Sequence, residues 1–147
     1  MNKKTSTKYL ALSSNERIKI SNPSVFRPKK ILNLKPLSLD IFSFHAGFKK
    51  KNNDLLVIIF NKPSNVHCIY SLTSTPSAPI IWDKKYNKGL CKALIVNSGN
   101  ANAHTGKKGL KIIDEYVSTL TNKIGCKKEE VLVSSTGVIG ETFEPNL

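Results

Sequence analysis

Two short segments rich in glycine, asparagine and hydroxyl side chains hold the residues best suited to chemistry. They are Asn97-Ser-Gly-Asn-Ala-Asn-Ala103 and Ser134-Ser-Thr-Gly-Val-Ile-Gly140. Each follows a short apolar run, so we expect both to be turns at the ends of strands. Glycine lets the backbone approach a ligand closely, and N–H groups freed at such a turn can point at an anion or a developing oxyanion. Ordinary tight connections have the same composition, so residue types alone leave both interpretations open.

Other kinds of site find less support in the sequence. His45, His67 and His104 lack the spacing of metal ligands, and the three cysteines form no Cys-x-x-Cys pair, so we expect no metal site. Neither G-x-x-x-x-G-K-[ST] nor G-x-G-x-x-G occurs, which argues against a phosphate-binding loop. We expect Cys68 and Cys91 to be inert thiols in apolar strands.

The strands that would position the two segments are indicated by short apolar runs bounded by polar residues. The expected strands are Asp54–Phe60, Val66–Leu72, Cys91–Val96 and Val131–Val133, with loop or turn structure over residues 71–79 and 84–89. Strands on both sides of one helix indicate an α/β or α+β layer structure.

The helix between the two segments has the clearest pattern in the chain. Its apolar positions 110, 113, 117, 120 and 124 are spaced by three or four residues and form one stripe. The helix is expected to start at Thr105 or Gly106, and Gly125 stands where a left-handed C-terminal cap belongs. Cys126, directly after it, is expected to be a small packing residue.

The basic residues are unevenly distributed along the chain. Its 147 residues carry a net charge of +13, and residues 1–53 hold 12 basic and 2 acidic side chains. We divide the chain into a basic extension, residues 1–36, and a domain, residues 37–147. The extension has no apolar stretch typical of a secretory signal, and its scarcity of acidic residues leaves an organelle presequence possible. No apolar run reaches the roughly 18–20 residues that span a bilayer, so no membrane protein is expected.

Binding to nucleic acid is the function that a strong positive charge suggests first. However, 21 of the 23 basic residues are lysine, whereas arginine is the side chain suited to bidentate recognition of bases and phosphates. Aromatic residues are not interleaved with the lysines. We therefore favour a solvated lysine-rich surface without a nucleic-acid partner, and keep a basic nucleic-acid-binding protein as a less favoured alternative.

The two glycine-bearing segments also carry a resemblance to a known family. Val96 to Ala103 with Thr105-Gly106, the helix, and Val131 to Gly140 together resemble the ornithine acetyltransferases (glutamate N-acetyltransferases, ArgJ) of arginine biosynthesis. Ala46-Gly-Phe-Lys49 resembles an upstream stretch of the family more weakly. The resemblance implies a layered α+β sandwich with sheets between helices. It also implies transfer of acetyl from N-acetylornithine to glutamate, without a cofactor, in the cytoplasm or an organelle matrix; acetyl-CoA is a possible second donor.

The resemblance further assigns roles to particular residues. Thr136 and Gly137 would be the catalytic oxyanion hole, and Asn97, Asn100 and Asn102 are expected to support that turn. In the family the nucleophile is a threonine in an Ala-Thr-Met-Leu stretch that becomes the N-terminus of a β chain, and no such stretch occurs here. We therefore expect part of an α chain, inactive alone, that needs a β chain in an αβ hetero-oligomer. A non-catalytic relic or regulatory subunit of the same fold is the alternative.

Overall fold

The computed structural model describes residues 38–143, which form four strands and two helices. In chain order these are β1 Leu39–Phe44, β2 Leu55–Asn65, α1 Ala78–Tyr86, β3 Leu90–Asn100, α2 Gly106–Ile124 and β4 Val131–Val138, with a 3-10 turn at Lys128–Glu130. The α+β class expected from the sequence is confirmed. The expected boundary between residues 36 and 37 lies outside the described residues, and no helix within them is long and apolar enough to cross a bilayer.

The four strands form one sheet in the order β1-β2-β3-β4. The first three are mutually antiparallel, and β4 lies parallel to β3. Parallel neighbours need a long crossover connection, and α2 supplies it. The crossover brings the last residues of β3 and the last residues of β4 to the same end of the sheet.

Both helices pack on one face of the sheet. Ile113 and Val117 of the α2 stripe are completely buried, and Trp82 of α1 is 2% exposed. They join Ala93, Ile95, Val131 and Val133 in a single apolar cluster. Burial of each large apolar side chain contributes about 1.5–3 kcal/mol, so this cluster holds α1, α2, β3 and β4 together.

The expectations for α2 are confirmed. The helix begins at Gly106, and Gly125 adopts a left-handed conformation with φ of 68° and donates its N–H to the Thr121 carbonyl at 2.9 Å. Cys126 packs against the apolar cluster. The amphipathic stripe therefore predicted both the extent and the orientation of this helix.

The expected strand at Val66–Leu72 is wrong. The β2–β3 ladder ends where Asn65 pairs with Leu90, and only Val66 continues it, by donating its N–H to Gly89 at 2.9 Å. Because β3 begins at Leu90, the residues after Val66 have no strand to pair with. Ile69 and Leu72 are accordingly almost fully exposed.

Helix α1 replaces part of the expected loop and turn structure. Its first turn includes Pro79 and its last includes Lys84 and Lys85. Proline fits the first turn of a helix because an N–H at that position has no partner within the helix. Strand β1 was not expected either; it pairs with β2 from Leu39 opposite Phe60 to Phe44 opposite Leu55.

Candidate functional site

The two glycine-bearing segments lie side by side in the sheet. Ser98 is in register with Thr136, and Gly99 with Gly137. The expectation of turns at the strand ends is therefore wrong for the first half of each segment, because β3 continues to Asn100 and β4 to Val138. Each segment provides the backbone partner that lets the other remain extended, and a shift in register follows at Asn100.

Gly137 is required by the close approach of these two strands. A Cβ atom there would overlap backbone atoms of Gly99 and lie 2.5 Å from the Asn100 nitrogen. The φ of Gly137 is 136°, a conformation that other residues adopt only with strain. Any side chain at this position would push β4 away from β3.

The segments are also joined beyond the paired residues. Ala101 donates its N–H to the Val138 carbonyl, and Gly140 donates its N–H to the Ala103 carbonyl, both at 2.9 Å. The Asn100 side-chain amide donates to the Glu141 carbonyl at 2.9 Å. These bonds fix the chain that follows Thr136.

Three buried asparagines hold the segment Asn97–Ala103 in place. Asn97 donates to the Asn100 carbonyl at 2.7 Å and accepts from the Ser135 hydroxyl at 2.5 Å. Asn102 is 1% exposed; it donates to the Gly109 carbonyl of α2 at 3.1 Å and accepts from the Thr105 hydroxyl at 2.7 Å. Their side chains satisfy protein groups, which agrees with the supporting role expected for them.

The loop between β1 and β2 packs against β3 beside the site. A Cβ atom on Gly99 would lie 2.9 Å from both Cβ and the carbonyl oxygen of Phe48, so the loop lies directly on β3. The Phe48 ring also packs edge-on against Phe143, with centroids 4.7 Å apart. Asp54 holds the loop, since its carboxylate accepts the N–H groups of Ala46 and Lys49 at 2.6 and 2.8 Å.

The charge on Asp54 is stabilised by these contacts. Burial alone would raise its pKa, but the backbone N–H donors, together with His45 at 3.5 Å, outweigh burial and hold the pKa of the carboxyl below its usual value. Asp54 is therefore a charged anchor of the loop at neutral pH. The His45 ring also contacts the Asn52 carbonyl at 2.9 Å.

Thr136 and Gly137 are both exposed at this end of the sheet. Since paired residues of parallel strands share a face, the Thr136 side chain lies on the same face as Ser98. Ser135 and Asn97 point to the opposite face, which the helices cover. The arrangement can present a hydroxyl donor to a molecule that approaches the uncovered face.

Several buried groups serve packing. Asp83 of α1 is 8% exposed and accepts the N–H of Val133 at 3.1 Å; burial raises the pKa of its carboxyl to about 7. Burial also raises the pKa of the Cys91 thiol to about 11, which agrees with an inert thiol in a strand.

The expectation of a strand around Cys68 is wrong, since Cys68 lies between β2 and α1. Within residues 38–143 no three His, Cys, Asp or Glu side chains cluster as metal ligands would.

Comparison with known proteins identifies the family. The ArgJ family model matches residues 40–146. The chain belongs to the ArgJ family. The Bartonella henselae arginine biosynthesis bifunctional protein ArgJ is 39% identical over 120 residues, which are 80% of this chain and 29% of that relative. The Geobacter sulfurreducens ArgJ is 41% identical over 97 residues, or 65% of this chain and 25% of the relative. The chain thus spans less than a third of these curated relatives.

Solved structures of the family share the fold. The crystal structure of Bacillus halodurans ArgJ superposes with a TM-score of 0.70 and 32% identity over 74% of this chain and 58% of that chain. The Mycobacterium tuberculosis ornithine acetyltransferase, solved with ornithine, gives a TM-score of 0.67 and 27% identity over 76% and 62% of the two chains. The sheet and two helices described above are therefore a part of the ArgJ fold.

One structural requirement of the site was missed by reasoning from the sequence. Gly99 and Gly137 face each other across the two strands, and each leaves room for backbone that a side chain would fill. The sequence contains a signal for this pairing. In each segment a glycine directly follows a hydroxyl residue, as Ser98-Gly99 and Thr136-Gly137, shortly after an apolar run. Only the parallel register shows that these glycines meet.

Proposed function

We propose that this ArgJ chain forms the oxyanion-stabilising part of an acetyltransferase that moves acetyl from N-acetylornithine to glutamate. The Thr136 hydroxyl and the Gly137 N–H would be the donors. The observation that carries the proposal is the pairing of Ser98-Gly99 with Thr136-Gly137, which leaves Thr136 exposed on a face that no helix covers within residues 38–143.

The chemistry requires negative charge to be stabilised on a carbonyl oxygen. A threonine hydroxyl of a complementary polypeptide would attack the acetyl carbonyl of N-acetylornithine, with the α-amine beside that threonine as the base. The carbonyl oxygen then gains charge, and donors already fixed in position stabilise it without further reorganisation. Collapse of the intermediate, with the proton passing from the α-amine to the departing nitrogen, would release ornithine and leave acetyl on the threonine oxygen. Attack by the neutral amine of glutamate on this ester would break the bond to the threonine oxygen, form N-acetylglutamate and return the proton to the threonine hydroxyl. Acetyl-CoA is the alternative donor.

The rigidity of the site supports this role. Preorganised donors are effective only when the scaffold prevents them from turning away. The bonds of Asn97, Asn100 and Asn102, the contact of Phe48 with Gly99, and the closely packed Gly137 hold the backbone around Thr136. A hydroxyl on such a backbone has one remaining freedom, rotation about its own side-chain torsions.

The proposal is tested by reconstitution. The full chain is mixed with a polypeptide comprising the part of Bartonella henselae ArgJ that this chain does not match, and transfer of labelled acetyl from N-acetylornithine to glutamate is measured. We expect transfer only when both components are present, with a ping-pong dependence on the two substrates. A complex that forms but transfers no acetyl would contradict the proposal and favour a non-catalytic or regulatory subunit of the same fold.

A further inference from the structure

Ser98 is the hydroxyl residue that the sheet places beside Thr136. The parallel register of β3 and β4 is unbroken as far as Gly99 opposite Gly137, and it sets Ser98 opposite Thr136. In-register residues of parallel strands share a face, and neighbouring strands lie about 4.7–4.9 Å apart. Rotation about their side-chain torsions can therefore bring these two short hydroxyl side chains within hydrogen-bonding distance.

The other polar neighbours of Thr136 are committed elsewhere. Asn100 also pairs with Thr136 where the register shifts, but its side chain is buried. The Asn100 amide donates to the Glu141 carbonyl at 2.9 Å, and its oxygen accepts a backbone N–H at 2.7 Å. Ser135 points to the opposite face, where its hydroxyl donates to a buried asparagine. Within residues 38–143 this leaves Ser98 as the available partner for the Thr136 hydroxyl.

The backbone of Ser98 is held in place from several directions. Its N–H donates to the Asp54 carbonyl at 2.8 Å, which ties this part of β3 to the start of β2. The preceding Asn97 is buried and bonded within the site, and the following Gly99 lies directly against Phe48. Ser98 can therefore move only by rotation of its side chain, as a preorganised contact requires.

The donor role proposed for Thr136 leaves its oxygen free to accept a hydrogen bond. A threonine hydroxyl has one proton, which Thr136 would donate to the acetyl oxygen, and two lone pairs that accept. The Ser98 O–H can donate to one of these lone pairs. A hydroxyl that accepts a hydrogen bond becomes a stronger donor, and the bond also restricts rotation of the Thr136 side chain.

We propose that Ser98 is a positioning residue whose hydroxyl donates to Thr136 Oγ1 and directs the Thr136 proton towards the oxygen that gains charge. This inference rests on the proposed function, because it needs Thr136 to be an oxyanion donor. It assigns Ser98 no contact with the substrate, so the effect of Ser98 on the reaction passes entirely through Thr136.

A double-mutant cycle in the reconstituted enzyme tests this dependence. Ser98→Ala should lower kcat by about three- to tenfold with little change in either KM, since that is the range expected for one neutral hydrogen bond. In the Thr136→Ala background the same substitution should have no further effect, because the bond has already lost its acceptor. Ser98→Thr keeps the hydroxyl and should retain most of the rate.

Ser134→Ala is the matched control. Ser134 is exposed and lies two residues before Thr136 on the same face of β4, but it is in register with Val96. Its substitution should leave kcat unchanged, both alone and together with Thr136→Ala. Rates are expressed per mole of complex, measured by sedimentation, so that a smaller amount of folded chain does not mimic a slower reaction.

Three results would overturn the inference. The first is an equal kcat for Ser98→Ala and wild type. The second is an effect of Ser98→Ala that persists undiminished in the Thr136→Ala background, since Ser98 would then act on the substrate or the fold without Thr136. The third is a raised KM for one substrate with kcat unchanged, which would make Ser98 a binding residue for that substrate.

Failure of the proposed function gives a different result. A complex that transfers no acetyl removes the roles of both Ser98 and Thr136. Acetyl transfer that depends on Thr136 but not on Ser98 retains the proposed function and removes only the positioning role.

Discussion

At the scale of single residues, Thr136 is the side chain on which the proposed chemistry depends. Its hydroxyl is exposed, and its neighbours along the strand are fixed by backbone and asparagine bonds. In the reconstituted enzyme, we expect Thr136→Ala to lower kcat by about 10²–10³ with little change in KM, because the donor acts on charge that appears only in the transition state. Thr136→Ser keeps a hydroxyl and should retain most of the rate. Steady-state kinetics that show equal kcat for wild type and Thr136→Ala would remove this residue from the mechanism.

Substitution of Gly137 should change the stability of the fold independently of catalysis. Gly137→Ala would combine a strained φ of 136° with overlap against the β3 backbone, so we expect a loss of more than ~2 kcal/mol in the free energy of unfolding. Gly140→Ala is the matched control, because its φ is 85° but nothing lies within 4 Å of the added Cβ. Urea denaturation should show the larger loss at position 137. Equal losses would mean that backbone strain alone, and not the approach of β3, requires glycine there.

At the scale of elements, Asp83 joins α1 to β4 through the N–H of Val133, just before the proposed site. Burial raises the pKa of this carboxyl from 3.8 to about 7, so the folded state holds a proton that the unfolded state releases. The resulting stability is complete below pH 3.8 and is lost as the pH rises towards 7. We expect a decline on the order of a few kcal/mol across this window.

Substitution isolates the contribution of Asp83. Asp83→Asn retains a carbonyl oxygen for the Val133 N–H and cannot ionise, so its unfolding free energy should stay nearly level between pH 4 and 7. Asp40→Asn, at an exposed position of β1, should keep the wild-type slope. Chemical denaturation at several pH values measures both; a wild-type slope in Asp83→Asn would assign the decline to another group. The pKa of Asp54 is lowered, so its contribution to the free energy of unfolding is lost as the pH falls below 3.8, in the opposite direction to that of Asp83.

The elements also show where sequence reasoning succeeds. Helix α2 was predictable because its apolar residues recur every three or four positions over 19 residues. Helix α1 was not, since Ile80, Ile81 and Trp82 are consecutive and Pro79 resembles a break. The extension of β4 through Thr136 depends on pairing with β3, a contact between distant parts of the chain that no local pattern contains. The resemblance located Thr136 and Gly137, but only the register revealed that they pair with Ser98 and Gly99.

At the scale of the whole molecule, the sheet face opposite the helices would link the stability of the chain to the proposed complementary polypeptide. Within residues 38–143 the helices cover one face of the sheet, and eight apolar residues on the other face are largely without a covering layer, so part of the available stabilisation is not realised there. These residues are Leu39, Ile41, Leu56, Ile58, Phe60, Leu94, Val96 and Leu132. A partner that binds only the folded chain stabilises it by about 2.7 kcal/mol when present at one hundred times its Kd. We therefore expect the Tm of the chain to rise with the concentration of the complementary polypeptide, on the order of 10 °C at that excess.

Ile58→Lys and Thr136→Ala distinguish this dependence of Tm on the polypeptide from catalysis. Ile58→Lys should abolish the concentration dependence of Tm, because it places a charge at the centre of this apolar face, whereas Thr136→Ala should keep it, because it removes only a hydroxyl at the margin of the face. Differential scanning fluorimetry of the three proteins with increasing polypeptide measures this directly. A Tm that rises equally in Ile58→Lys would place the contact elsewhere on the chain. Loss of the rise in Thr136→Ala alone would mean that the Thr136 hydroxyl, and not the apolar residues, holds the partner.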